Sequence, residues 1–285
     1  MPPRERIAVV IAARDRPQEL AATVGRLSAL PERPSVVVVD NASHAGSAPP
    51  AFDDPDVEVV RLGRNLGGAA RTVGARRVPT PHVAFSDDDS WWAPGALAEA
   101  ADILDAHPSL GLVAARVLVG PREREDPVCE AMRSSPLPRR PDLPGPPVLG
   151  FVACGAVVRR SAFLEVGGFH PRFGIGGEEE LLALDLAATG WELAYVDHIV
   201  AHHHPSPSRD PAARRRGQLR NALWSAWLRR PVGAAARATV RLMAGHPRRR
   251  EAAGALRDAL RGVRWVARER QTVPPAVERA VRMLE

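Results

Sequence analysis

Short continuous apolar runs alternate with segments of helical spacing through the first 118 residues. Ile7 to Ala13 is unbroken apolar and predicts a strand covered on both faces. Pro17 to Leu30 then predicts a helix with proline in its first turn. "PSVVVVDNAS" supplies a second strand over Ser35 to Val39, "DVEVVRL" a third, "LGGAARTVGARR" a helix, and "HVAFS" a fourth strand ending at Asp87, Asp88 and Asp89. Strand alternating with helix predicts an α/β fold, with a parallel or mostly parallel sheet and helices on both faces.

The pattern breaks over residues 120–149, "PREREDPVCEAMRSSPLPRRPDLPGPP", where proline and arginine replace any sustained period. A long stretch without periodicity inside a domain reads as a mobile excursion over the site. Order returns at about residue 150 with a strand and a short helix. A helix from about Glu178 to Thr189 then stops at Gly190, a C-cap glycine, and two short strands follow. From Asp210 to Glu285 the spacing is helical, with breaks near Pro231, Pro247 and Pro274. These shifts divide the chain into a domain over 1–205, with halves of about 1–118 and 150–205, and a basic helical region over 206–285.

Charge sharpens this division. Between Pro205 and Glu285 stand 19 arginines against six acidic residues, so the net charge of +6 arises in the tail. All 39 basic residues are arginine, which points to codon bias in a GC-rich genome, and no nucleic-acid motif accompanies them. Two cysteines, Cys129 and Cys154, make neither a disulfide framework nor a metal motif, so the expected compartment is a reducing cytoplasm. The tail sets Trp224, Trp227 and Leu228 at helical spacing among arginines. Such a face either packs on the first domain or touches an anionic membrane surface.

In an open α/β sheet the ligand crevice lies at the carboxyl ends of the strands. "RD" at 14 and 15, "DNAS" at 40 to 43 and "SDDDS" at 86 to 90 all fall there. The first turn, "AARDRPQ", has no glycine and excludes the usual dinucleotide fingerprint. A diphosphate bound there needs a cation, and Asp87, Asp88 and Asp89 offer oxygen ligands suited to Mg²⁺ or Mn²⁺.

"VVIAARDRPQEL", "VVVVDNAS", "RNLGGAARTVGAR", "AFSDDDSWWAPGAL" and "GGEEELLALDLAATGWEL" occur in an order and spacing that resemble family 2 glycosyltransferases of the GT-A fold, including bacterial rhamnosyltransferase-like enzymes. The resemblance covers about residues 5–205. It implies a Rossmann-like mixed sheet and a nucleoside diphosphate sugar donor linked to UDP, dTDP or GDP. It further implies Asp40 at the base, with Ala12 and Arg14 lining that pocket, and Asn65 and Gly67 beside the nucleotide. Asp87 would lie near the ribose or metal, with Asp88 beside it, and Asp89 on the metal. Glu179, with Glu178 next to it, would be the base that deprotonates the acceptor hydroxyl in an inverting transfer. The chain departs from the family pattern in having Leu181 where a further aspartate is usual. Some members use a histidine near "VAHHHPSPSRD", which makes His202 or His204 a further metal contact. Trp91 and Trp92 are either packed or stack on a sugar.

The implied acceptor is a glycan, a lipid-linked intermediate or a small natural product. Two rivals follow from the same residues: a scaffold that keeps the fold without catalysis, and a metal-dependent hydrolase or nucleotidyltransferase of activated sugars.

Overall fold

The computed structural model describes residues 3–205 and 211–285. The N-terminal half runs α1 (Pro3–Arg6), β1 (Ile7–Ala13), α2 (Pro17–Ser28), β2 (Ser35–Asp40), β3 (Val57–Arg61), α3 (Ala70–Arg77), β4 (His82–Asp87), β5 (Ser90–Trp92), α4 (Ala96–Ala106) and β6 (Leu110–Val119). It continues through β7 (Arg124–Glu125), α5 (Pro127–Arg133), β8 (Ala156–Arg159), α6 (Arg160–Glu165), α7 (Glu178–Ala188) and β9 (Glu192–His203). Helices α8 (Pro211–Arg229), α9 (Val232–Gly245), α10 (Arg249–Arg261), α11 (Val263–Glu269) and α12 (Pro275–Met283) complete it.

The strands form one mixed sheet in the order β3-β2-β1-β4-β8-β6-β9-β5, with β7 added to β6. β1 lies parallel to β2 and β4, whereas β8 runs antiparallel to both β4 and β6. Successive residues of β1 enter opposite cores: Val10 joins Val37 and Phe85, while Val9 and Ile11 join Leu20, Leu97 and Trp92. Both faces are therefore covered, as the unbroken apolar runs require.

Residues 120–149 differ from expectation. They contain β7 and α5, whose start is fixed by Asp126 accepting from the Val128 N–H at 3.0 Å and by Pro127 in the first turn. Cys129 and Met132 bury one side of α5. The return path is pinned where the Tyr195 and Val148 N–H groups donate to Pro146 and Leu193. The helix is too short for its period to show among so many prolines. The two strands expected after Gly190 are one, β9, with a register shift between Ala115 and Arg116 on its neighbour β6.

The tail is packed on the first domain. Trp224 and Leu228 of α8 join Phe173, Leu181 and Val266 in a separate apolar cluster, and Arg229 pairs with Asp185 of α7. Trp224 and Leu228 therefore have no free apolar face to offer a membrane. No helix among the described residues is long and apolar enough to cross one. The boundary expected at 205/206, and Ser206 to Asp210 with it, lies outside the described residues.

Candidate active site

Strand register assembles the site. Ala13 pairs with Asp40 and Ala12 with Asp87, so the ends of β2 and β4 flank the end of β1. A cleft of about 420 Å³ opens there, lined by Ala12, Arg14, Asn65, Gly67, Asp87, Asp88, Glu178 and Glu179 among the residues singled out in the sequence. Arg16, Asn41, Arg71, Cys154, His203 and Arg214 also line it, and the sequence patterns did not single them out. Asp40 does not form a wall: it is buried, and its Oδ1 accepts from the Ser43 N–H at 3.0 Å. Its neighbour Asn41 reaches the cleft instead.

Asn41 ties β2 to the loop before α3. Its Oδ1 accepts from the Leu66 N–H at 2.7 Å, and its Nδ2 donates to the Gly67 carbonyl at 3.1 Å. Asn65 closes the same turn by accepting from the Gly67 N–H at 2.8 Å, and the Gly68 N–H donates across to Gly174 at 2.6 Å. Gly67 has φ of +58°, and a Cβ there would lie 2.4 Å from the Gly174 Cα. Gly67→Ala therefore combines left-handed strain with a backbone clash. It is expected to lower stability by roughly 2–4 kcal/mol, read as a drop in the urea midpoint; an unchanged midpoint would show that the two loops separate freely.

Two arginines meet the aspartate triplet. Arg16 Nη1 lies 3.2 Å from both Asp88 Oδ1 and Asp89 Oδ2, and Arg71 pairs with Asp87. Burial, then the charge of Asp89, pushes the Asp88 carboxyl up to about 6 against the pull of Arg16. Like charges thus crowd at the strand end with protein cations beside them.

β9 supplies a further wall. Ser90 pairs with His203 and Trp91 with His202, and neighbouring side chains of a strand point to opposite faces. His203 therefore lines the cleft with Nε2 3.3 Å from Asp89 Oδ1. His202 instead places Nδ1 3.0 Å from Glu123 and stacks on Trp91. His204 packs edge-on to Trp91. The histidine on the cleft is thus one residue from the expected position. Trp91 is engaged by His202 and by Arg26, whose guanidinium carbon lies 3.7 Å from its ring centre, and Trp92 is fully buried. Both tryptophans are packed.

Ligand atoms of Asp87, Cys154 and His203 lie within 4.8 Å of one another. The His203 imidazole suits later transition metals better, whereas the Asp87 carboxylate suits Mg²⁺ or Mn²⁺. The Cys154 thiol does not, because burial first and the charge of Asp87 next hold its pKa well above the ordinary value. The donor set therefore fits a hard divalent cation through the Asp87 oxygen, with the imidazole beside it and the thiol as wall. Asp89, expected as a ligand, stands beside this set, held by Arg16 and His203.

α7 starts from Gly177, left-handed at φ of +89°, and brings Glu178 and Glu179 to the cleft, with Glu180 next to them in its first turn. Glu179 lines the cleft, and its Oε2 accepts from the Gly177 N–H at 3.0 Å. Glu178 is 2% exposed, its Oε2 has no hydrogen-bond partner, and its Oε1 stands 4.0 Å from Arg71 Nη1. Burial, then the charge of Glu179, raises its pKa, with Arg71 opposing. Glu180 is exposed.

The family model "Glycosyl transferase family 2" matches residues 8–167, the stretch that carries β1 to β8 and the aspartates. "Pre-mycofactocin glycosyltransferase" of Mycobacterium tuberculosis is 34% identical over 231 residues, spanning 75% of this chain and 46% of that protein. The chain thus spans about half the length of that relative. "N-acetylglucosaminyl-diphospho-decaprenol L-rhamnosyltransferase" of the same organism is 29% identical, over 66% of this chain and 73% of the relative. Among solved structures, a mannosyltransferase from Pyrobaculum calidifontis in complex with GDP-Man and Mn²⁺ superposes with a TM-score of 0.59 at 19% identity, covering 98% of this chain and 86% of that one. That likeness is one of fold, and it gives the mixed sheet its name, GT-A. With strand order, acidic strand ends and more than half of the sequence in agreement, the chain belongs to glycosyl transferase family 2.

Proposed function

We propose that the chain transfers a hexose or deoxyhexose, with inversion, from a nucleoside diphosphate sugar to an acceptor hydroxyl. The observation that carries this reading is one cleft lined together by Asp87, His203 and Glu179. In the proposed step the acceptor oxygen attacks the anomeric carbon, its proton passes to the Glu179 carboxylate, and the bond from that carbon to the diphosphate breaks. The nucleoside diphosphate leaves with the bonding electron pair. Mg²⁺ or Mn²⁺ held by Asp87 and His203 would supply Lewis-acid stabilisation of the leaving group. Arg14, Arg16 and Arg214 line the same cleft and add positive charge for the diphosphate. Ala12, Asn65 and Gly67 would border the nucleotide, with Asp40 behind them fixing the turn at Ser43.

Calorimetric titration with UDP, dTDP and GDP, with and without Mn²⁺, tests the donor half. Binding of one nucleotide should strengthen with Mn²⁺. In His203→Ala that gain should fall by roughly tenfold or more, at least what the loss of an outer-shell partner costs. Equal binding without metal would remove the metal assignment, and no binding to any of the three would remove the donor site.

A further inference from the structure

A second pocket, of about 320 Å³, adjoins the donor cleft, and Glu179 lines both. Its walls come from Val128 and Met132 of α5, from Val148 and Phe151 on the return path, and from Leu284 after α12. A further trough of about 340 Å³ shares Val148 and Leu149 with it and runs on to Ala276, Val277 and Ala280 of α12. Apolar side chains of the two form a path from Glu179 to α12, and Arg140 and Glu192, paired with each other, also line the trough.

Resting on the transferase reading above, we infer that this path binds the body of the acceptor, and that the acceptor is an alcohol whose hydroxyl is carried on an apolar ring or chain. An acceptor hydroxyl has to reach Glu179, so the rest of that molecule occupies space continuous with Glu179 and outside the donor cleft. A sugar buried there would need a partner for each of its hydroxyls. The side chains do not provide them: beyond the glutamates of α7 the polar group in the pocket is Ser135, whose Oγ already donates to the Pro147 carbonyl at 2.6 Å. A diphosphate next to the acceptor hydroxyl would meet Glu179 and Glu180 with no cation among the residues that line this pocket, and Arg140 in the trough is already paired with Asp142 and Glu192. Apolar surface buried against Met132, Val148 and Phe151 is what this shape rewards. The excursion over residues 120–149 thereby has a function: α5 is the wall that makes the acceptor site apolar.

The test uses the full chain and 2-naphthol, an aromatic alcohol, with methyl α-D-glucopyranoside as its polar counterpart, both titrated by calorimetry in the presence of the nucleotide that binds. Ala131 is exposed at the pocket mouth and Leu149 is half-buried where the two volumes meet, so Ala131→Asp and Leu149→Asp put charge into the path without opening the core. Naphthol should bind at least tenfold more tightly than the glucoside. Each variant should weaken naphthol at least tenfold while the nucleotide affinity stays within twofold. Naphthol binding that is absent, that survives both variants, or that is weaker than glucoside binding would overturn the inference. Intact naphthol binding in a chain that binds no nucleotide would overturn the acceptor role specifically and place the failure in the donor reading.

Discussion

Replacing Glu179 by glutamine is expected to lower turnover by roughly 10²–10⁴-fold, the usual worth of a positioned general base, while nucleotide affinity stays nearly unchanged. The amide keeps the shape and can still meet the Gly177 N–H that holds the carboxylate at 3.0 Å, but it cannot take up a proton. Glu179 stands at the junction of the donor cleft and the apolar pocket, where an acceptor oxygen and an anomeric carbon can meet. Glu178 and Glu180 are less suited. Burial favours the protonated form of Glu178, and a carboxyl that already holds its proton accepts none; Glu180 is exposed and does not line the donor cleft. The measurement is release of nucleoside diphosphate under saturating donor, alongside nucleotide titration. Full turnover in Glu179→Gln would move the base elsewhere. Lost turnover together with lost nucleotide binding would mean that the amide disturbed the cleft and not the proton transfer.

Strand ends were legible because their causes are local. Ile7 to Ala13 must be covered on both faces, and Asp87 must fall where "HVAFS" stops, so the acidic edge of the cleft followed from period and position alone. What stayed hidden depends on register between distant segments. His203 faces the aspartates because Ser90 pairs with it, and nothing within "AHHHP" distinguishes it from His202. Arg71 lies inside a short helix in which every basic residue is arginine, so composition masked the one that turns inward. Cys154 lacked any motif and joins Asp87 through the sheet, since β8, which follows it, pairs with β4. α5 was unreadable for a different reason: seven residues among prolines give less than two full turns of period. The long-range pairings, then, made the site, and the local patterns marked where to look.

Arg71 is where those pairings converge, and Arg71→Met should expose it. The guanidinium is almost fully buried, pairs with Asp87 from β4, and stands 4.0 Å from Glu178 of α7. Methionine fills much of the volume and leaves two carboxylates without that cation. Breaking a buried charge pair from one side costs about 3–5 kcal/mol, and the cost should depend on pH. The Glu178 carboxyl is already raised above its ordinary 4.5, by burial first and by Glu179 next, with Arg71 pulling it down. Without Arg71 it rises further. Between 4.5 and the folded value the native state holds a proton that the unfolded chain has released, so stability falls as pH rises through that window. The contribution of Glu178 to the variant's deficit should therefore be small near pH 5 and grow through the raised folded value, with the loss at Asp87 remaining throughout. Urea unfolding of both proteins at pH 5.5 and pH 9 separates the two parts. Arg71→Lys, which restores charge without the planar fork, should recover part of the deficit at pH 9. A deficit equal at both pH values would show that Arg71 acts on Asp87 alone, and that the metal side and the base side of the cleft are held independently.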